Sequence, residues 1–234
     1  VNFTTHVISQ SVNGARAVYA IDIDGDGDTD VLSASSHDDT IAWYENDGYE
    51  SFTVHVITSL ALGAESVFAI DMDGDGDIDV LSASKNDDTI AWYENNGAEY
   101  FTTHTISTTA SGARSVYAID LDGDGDIDVL SASELDNSIN WYENNGFQTF
   151  SEHTITSSAY AARSVFAVDL DGDGDVDVLS ASFNDGKISW YENNGGAGYF
   201  TIHVITDAAN GAISVFAVDL DGDGDMDVLS AAYN

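Results

Sequence analysis

Cysteine is absent from the 234 residues, so no disulfide constrains the fold and thiols give no reading of redox compartment. Cations are nearly absent too. Arg16, Lys85, Arg114, Arg163 and Lys187 stand against 42 acidic residues, leaving a net charge of −37. A surface of that sign repels phosphate backbones and anionic headgroups, which excludes nucleic acid and membrane insertion from the expected partners. No apolar run approaches the roughly 18 residues needed to cross a bilayer as a helix. The chain opens at Val1 with no Met, basic segment or apolar leader, as a processed or trimmed polypeptide does. There is also no nucleophile elbow, phosphate loop, zinc signature or isolated carboxylate pair, so no enzyme is expected.

What is present is apolar enough to fold. Hydrophobic residues make up 43% and aromatics 11%, well above the composition of a disordered acidic chain. The acid is local. Five clusters of five aspartates hold 25 of the 42 acidic residues. Their first members, Asp22, Asp71, Asp120, Asp169 and Asp219, are separated by 49, 49, 49 and 50 residues. Trp43, Trp92, Trp141 and Trp190 keep the 49-residue step, and so do His6, His55, His104 and His153, with His203 one residue late.

Within a unit the segments are short, β-branched or aromatic, and divided by Gly, Asn and Asp, which predicts strands and turns. In the second unit the strands are expected at Ser66 to Asp71, Asp79 to Ser84, Thr89 to Asn95 and Phe101 to Ile106. A four-stranded unit repeated at this period predicts an all-β fold, a β-propeller of four-stranded blades forming one domain over 1–234. The small residues Ser82, Ala83 and Ser84 suit close sheet packing, near the propeller axis or elsewhere. The register is not a whole number of blades. Phe3 to Ile8 reads as a fourth strand, followed by four full sets and then a first and second strand, Ser214 to Asp219 and Asp227 to Ala232. Ring closure is expected to join the N-terminal strand to the C-terminal pair in a composite blade lacking its third strand, an open edge suited to self-association.

The clusters read DxDGDGDxD and occupy 22–30, 71–79, 120–128, 169–177 and 219–227. Carboxylates stand at loop positions 1, 3, 5, 7 and 9, with a glycine at position 6 for the sharp turn. The candidate metal residues are Asp22, Asp24, Asp26, Asp28 and Asp30 in the first copy, and Asp71, Asp73, Asp75, Asp77 and Asp79 in the second. The third supplies Asp120, Asp122, Asp124, Asp126 and Asp128, the fourth Asp169, Asp171, Asp173, Asp175 and Asp177, and the fifth Asp219, Asp221, Asp223, Asp225 and Asp227. Two like charges about 4 Å apart repel by roughly 4 kcal/mol at an effective dielectric near 20, so the loops need a cation. A hard ion with all-oxygen coordination fits, and Ca²⁺ suits it better than Mg²⁺, which demands a tight octahedron. About five Ca²⁺, one per loop, are expected, bringing the charge to −27. Position 7 is expected to offer its main-chain carbonyl while its side chain points to water. An EF-hand is excluded because position 12 is Ser33, Ser82, Ser131, Ser180 or Ser230 rather than Glu.

A strand, then DxDGDGDxD, then DVLSAS and a later WYENN, strongly resembles the FG-GAP/VCBS repeats, including the calcium-binding blades of integrin α-type propellers. The resemblance implies side-chain ligands at positions 1, 3, 5 and 9, a position-7 carbonyl and a largely structural ion. It also implies an extracellular or cell-surface module for adhesion or for recognition of a glycan or protein. A self-assembling fibre or spacer, and a non-catalytic accessory domain of a polysaccharide-degrading enzyme, are the alternatives. The repeated His residues and Glu45, Glu94, Glu143 and Glu192 are expected to belong to the blade consensus, and the Trp residues to pack between blades rather than stack on a sugar.

Overall fold

The computed structural model describes residues 4–49, 51–98, 100–195 and 198–233. Its first sheet contains β1 (Ala15–Ile21), β2 (Asp30–Ser35), β3 (Thr40–Asn46) and β4 (Phe52–Thr58). The second contains β5 (Ala64–Ile70), β6 (Asp79–Ser84), β7 (Thr89–Asn95) and β8 (Phe101–Ser107), and the third β9 (Ala113–Ile119), β10 (Asp128–Ser133), β11 (Ser138–Asn144) and β12 (Phe150–Thr156). The fourth contains β13 (Ala162–Val168), β14 (Asp177–Ser182), β15 (Lys187–Asn193) and β16 (Phe200–Thr206), and the last only β17 (Ala212–Val218) and β18 (Asp227–Ala232). Each sheet is antiparallel in chain order, and no helix occurs among the described residues. The strands expected in the second unit are found within two residues of their ends.

The sheets stack through one repeated junction. Leu81, Ile90 and Trp92 of the second sheet pack against Val116, Ala118, Val129 and Tyr142 of the third in a buried cluster. Equivalent clusters join the other neighbours. Because side chains alternate across a strand, each sheet buries both faces: one against the repeat before and one against the repeat after. That explains why β6 is buried along its whole length, as its run of small residues allows. At roughly 1.5–3 kcal/mol per buried large aliphatic side chain, these junctions dominate the stability of the array.

First strands stand side by side, and one aromatic from each forms a ladder. Ring centroids are 5.0 Å apart for Tyr19 and Phe68, 4.8 Å for Phe68 and Tyr117, 5.0 Å for Tyr117 and Phe166, and 4.7 Å for Phe166 and Phe216. At the strand ends far from the Asp loops, four of the five cations converge on two carboxylates. Arg16 at 3.8 Å and Arg114 at 2.8 Å reach Glu65, while Lys85 at 3.0 Å, Arg114 and Arg163 at 2.7 Å share Glu134. Turn side chains also cross between repeats: Asp39 accepts the Gly63 N–H and Asp88 the Gly112 N–H, both at 2.7 Å.

The expected closure is not observed. Phe3 lies outside the described residues, residues 4–8 are not a strand, and β17 and β18 pair only with each other. The five sheets therefore form an open series rather than a closed ring. The chain at 6–12 instead lies beside Val18, Val31 and Tyr44 of the first sheet and lines an open groove with them.

Candidate metal centres

Each DxDGDGDxD segment links the first strand of a sheet to the second. The chain reverses there because both loop glycines take positive φ, 75° at Gly25 and 96° at Gly27, a pattern kept in every copy. Nothing lies within 4 Å of a Cβ placed at either, so backbone conformation and not crowding requires glycine.

The carboxylates at positions 1, 3 and 9 converge. Asp22, Asp24 and Asp30 each place one oxygen within 4.8 Å of the others, and so do Asp71, Asp73 and Asp79; Asp120, Asp122 and Asp128; Asp169, Asp171 and Asp177; and Asp219, Asp221 and Asp227. Backbone donors hold the three in place. Asp71 accepts Gly74 N–H at 2.8 Å and Gly76 N–H at 3.0 Å, and Asp73 accepts Asp75 N–H at 3.2 Å. Asp79 is fully buried and accepts Met72 N–H at 3.0 Å and Asn95 N–H at 2.7 Å, one on each oxygen.

Positions 5 and 7 fall outside these groups. The exposed Asp75 turns its carboxylate to the Asp77 N–H at 2.9 Å. The position-7 side chain does not simply point to water. Asp77 lies against the turn between β7 and β8, where a Cβ on Gly97 would meet its carboxylate oxygen at 2.5 Å, and Asp28, Asp126 and Asp175 face Gly48, Gly146 and Gly195 in the same way.

The electrostatics show what the groups lack. Burial, and then the charges of Asp75, Glu94 and Asp71, push the Asp73 carboxyl up, and Asp24 and Asp122 are raised by burial and neighbouring carboxylates too. Burial pushes Asp79 and Asp128 up to about 7 and raises Asp177, against the pull of two backbone N–H donors at each. No cationic side chain among the described residues forms an ion pair with these groups. Three clustered, desolvated carboxylates without a counter-charge fit a hard cation. Three such oxygens would be about half of the six to eight that Ca²⁺ takes, with the position-5 carboxylate, the position-7 carbonyl and water as the expected remainder. A bound cation would favour the charged carboxylates against the burial, and the lesser repulsion, that raise these pKa values.

The fifth group is weaker. Asp227 is exposed and accepts only the Leu220 N–H, at 3.0 Å, among the described donors.

Sequence reasoning missed the residues that brace the loops. Asn46, Asn95, Asn144 and Asn193 end the third strands, and each gives its N–H to the position-9 aspartate of its own repeat at 2.7–2.8 Å. The constant 16-residue interval from Asp79 to Asn95 and its equivalents was the available signal. Asn95 Nδ2 also reaches the Ile23 carbonyl of the preceding loop at 3.4 Å, and Gln148 donates to Asp73 of the repeat before it at 3.2 Å.

Trp and His residues keep the consensus roles expected of them. Trp43, Trp92 and Trp141 are buried between sheets, and the rings of Trp92 and His104 stack at 4.5 Å. His104 in turn meets Glu94 at 2.6 Å, and the same pairing joins His55 to Glu45, His153 to Glu143 and His203 to Glu192. His37 sits in an exposed turn. The Trp92 indole N–H is directed toward Asp79 without hydrogen-bonding geometry, so it has no partner among the described residues.

Recesses open between consecutive loops. One of about 200 Å³ is lined by Asp122, Asp124, Trp141, Asp175, Asn193 and Phe200. Another of about 260 Å³ lies among Asp73, Asp126, Asn144 and Gln148. Phe147 and Tyr199, 84% and 81% exposed, sit between lining residues of these recesses, and Tyr49 and Tyr100 are exposed in the turns between the third and fourth strands of the first two sheets.

The FG-GAP-like repeat model matches four overlapping times, at 22–82, 71–131, 120–180 and 169–230. The chain belongs to the FG-GAP-like repeat family. No functionally curated protein matches its sequence. Among solved structures it is similar to an Agrocybe aegerita lectin described as recognising non-reducing terminal N-acetylglucosamine, with TM-score 0.63, 21% identity, and coverage of 92% of this chain and 60% of that one. A functionally unknown protein from Desulfotomaculum acetoxidans gives TM-score 0.63 at 14% identity, covering 95% and 64%. The V. cholerae biofilm matrix protein Bap1 gives 0.54 at 21% identity, covering 97% and 37%. The FG-GAP-like chain thus shares a fold with each and spans less than two thirds of their length.

Proposed function

We propose that this FG-GAP-like chain is an extracellular, non-catalytic recognition module that holds Ca²⁺ in its loops and binds glycans at the recesses between consecutive repeats. One observation carries the reading: each four-stranded repeat carries an exposed aromatic ring in the turn between its third and fourth strands, and two of them, Phe147 and Tyr199, adjoin recesses lined by carboxylates and amides. An exposed ring costs solvation unless something covers it, and the apolar face of a sugar is such a cover. The adjacent oxygens and amides match its hydroxyls. The fold shared with a lectin supports the same class of ligand and suggests terminal N-acetylglucosamine as the first probe. Millimolar extracellular Ca²⁺ suits loops of this type. The side-by-side first strands support reading the sheets as propeller blades, although the series is open.

Binding to an array containing terminal N-acetylglucosamine, in calcium and in EDTA, tests the proposal. Binding in calcium that falls at least tenfold when Tyr49, Tyr100, Phe147 and Tyr199 are all changed to Ala supports it. Absence of binding to every glycan in calcium, or binding indifferent to those substitutions, refutes it.

A further inference from the structure

In the second loop, Asp71 and Asp79 each hold two backbone donors, one on each oxygen. Asp71 accepts Gly74 N–H and Gly76 N–H, and Asp79 accepts Met72 N–H and Asn95 N–H. The third carboxylate, Asp73, has one backbone donor, Asp75 N–H at 3.2 Å on Oδ1. Its Oδ2 is met from outside the repeat, by the side-chain amide of Gln148 at 3.2 Å, which stands 75 residues on in the turn between β11 and β12. Among the described residues the other copies have no such second donor at position 3: Asp24, Asp122, Asp171 and Asp221 accept only the N–H two residues on. The sequence explains the difference. The places that match Gln148 in the first two turns hold Glu50 and Glu99, which as carboxylates have no N–H to give, and the longer fourth turn reads Gly-Gly-Ala-Gly over 195–198. Gln148 also takes φ 58°, a left-handed backbone that Asn, Asp and Gly enter more readily, and it lines one recess with Asp71, Asp73 and Asp126.

We infer that Gln148 is a positioning residue for the cation centre at 71–79, acting across the repeat boundary, so that filling this loop also fixes the turn that carries Phe147. The inference rests on reading the loops as cation sites. A carboxylate held on both oxygens keeps its orientation before the ion arrives, so less rotamer freedom is lost on binding. Asp71 and Asp79 reach that state within their own repeat. Asp73 reaches it only through the next one. The link runs both ways, because coupling between two binding events is reciprocal. An ion that fixes Asp73 gives Gln148 a fixed acceptor, and the residue before Gln148 is Phe147, 84% exposed beside the recess. Calcium in one repeat thereby orders an aromatic ring of the following repeat, by a route separate from that ring's own loop at 120–128.

Site-resolved NMR of the EDTA-stripped, dialysed chain during a Ca²⁺ titration provides the test. Gly76 N–H reports the second loop and Gly125 N–H the third, since each donates to the position-1 aspartate of its own loop. The chain has two glutamines, so the Gln148 amide signals are assigned by their loss in Gln148→Ala, with Gln10 as the control. In the unaltered chain the Gln148 amide is expected to shift in step with Gly76. That response is expected to persist in Asp120→Asn, which disables the third loop, and to vanish in Asp71→Asn, which disables the second without touching Gln148. In Asp120→Asn the Phe147 N–H is expected to keep a calcium response that adding Gln148→Ala removes. Gln148→Ala is expected to raise the calcium concentration at half-response of Gly76 by at least about threefold, less than the roughly 10–100-fold typical of outer-shell partners because this contact is exposed, and to leave Gly125 unchanged. Gln148→Glu, which cannot donate, is expected to weaken the second loop at least as much. A Gln148 amide that ignores calcium while Gly76 and Gly125 respond, an unchanged Gly76 midpoint in Gln148→Ala, or tighter binding in Gln148→Glu overturns the inference and leaves the cation reading standing. No response at either glycine overturns both.

Discussion

Asp79 accepts the N–H of Asn95 at 2.7 Å on one oxygen and that of Met72 at 3.0 Å on the other, so one buried side chain ties a third strand to the start of its own loop. The position-9 aspartate is thus a brace as well as a candidate ligand. Asp79→Ala leaves two buried donors unmet, each costing about 1–3 kcal/mol. The variant is expected to melt well below the unaltered protein even in EDTA. Asp75→Ala, which removes an exposed carboxylate, is expected to change the EDTA melt by less than about 0.5 kcal/mol.

Protonation of the buried aspartates sets a pH dependence for the metal-free protein. Burial pushes the Asp79 and Asp128 carboxyls up to about 7 in the fold, from an ordinary 3.8. The folded state therefore holds more protons than the unfolded chain between those values, and stability falls as pH rises through that window. In EDTA the melting temperature is expected to drop from about pH 4 to about pH 8. In calcium the ion displaces those protons, so calorimetry in buffers of different ionisation enthalpy is expected to find more proton release on binding at pH 6 than at pH 8.

Gly97 has φ 69°, and a Cβ there would meet the Asp77 carboxylate oxygen at 2.5 Å and displace it. Gly97→Ala is expected to lower the melting temperature and to weaken the cation site at 71–79. Adding Asp77→Ala relieves the crowding but not the backbone strain. The double variant is therefore expected to recover only part of the loss, a coupling that a double-mutant cycle reads directly.

Glu134 is nearly buried, and burial alone would raise its carboxyl; Lys85, Arg114 and Arg163 instead hold it below the usual range. Glu134→Ala leaves those three partly exposed cations facing one another, and solvent screening holds the expected cost to about 1–3 kcal/mol. Urea melts at low and high salt check it: part of the loss is expected to return as salt screens the cations.

Much of this architecture is legible in the sequence because repetition multiplies a weak signal. One DxDGDGDxD is an ordinary turn, but five at a regular step, four of them followed by DVLSAS and WYEN, make the strands, the loops and the Trp rows legible. The brace from Asn95 and the position-7 contact at Gly97 were hidden because each joins segments about 20 residues apart through a backbone group, which leaves no distinctive side chain. The open ends were missed for another reason. Phe3 to Ile8 has strand composition, but composition does not say which surface a segment covers, and residues 6–12 lie beside the first sheet instead of completing the last.

The account depends on cations relieving the repulsion among the carboxylates at positions 1, 3 and 9. Isothermal titration of the EDTA-stripped, dialysed protein with Ca²⁺ tests that most directly, with a thermal melt at each end of the titration. The expected result is two classes of site, four braced as at Asp79 and one weaker at Asp219, Asp221 and Asp227, together with a large rise in melting temperature. No heat of binding and an unchanged melting temperature would contradict the account.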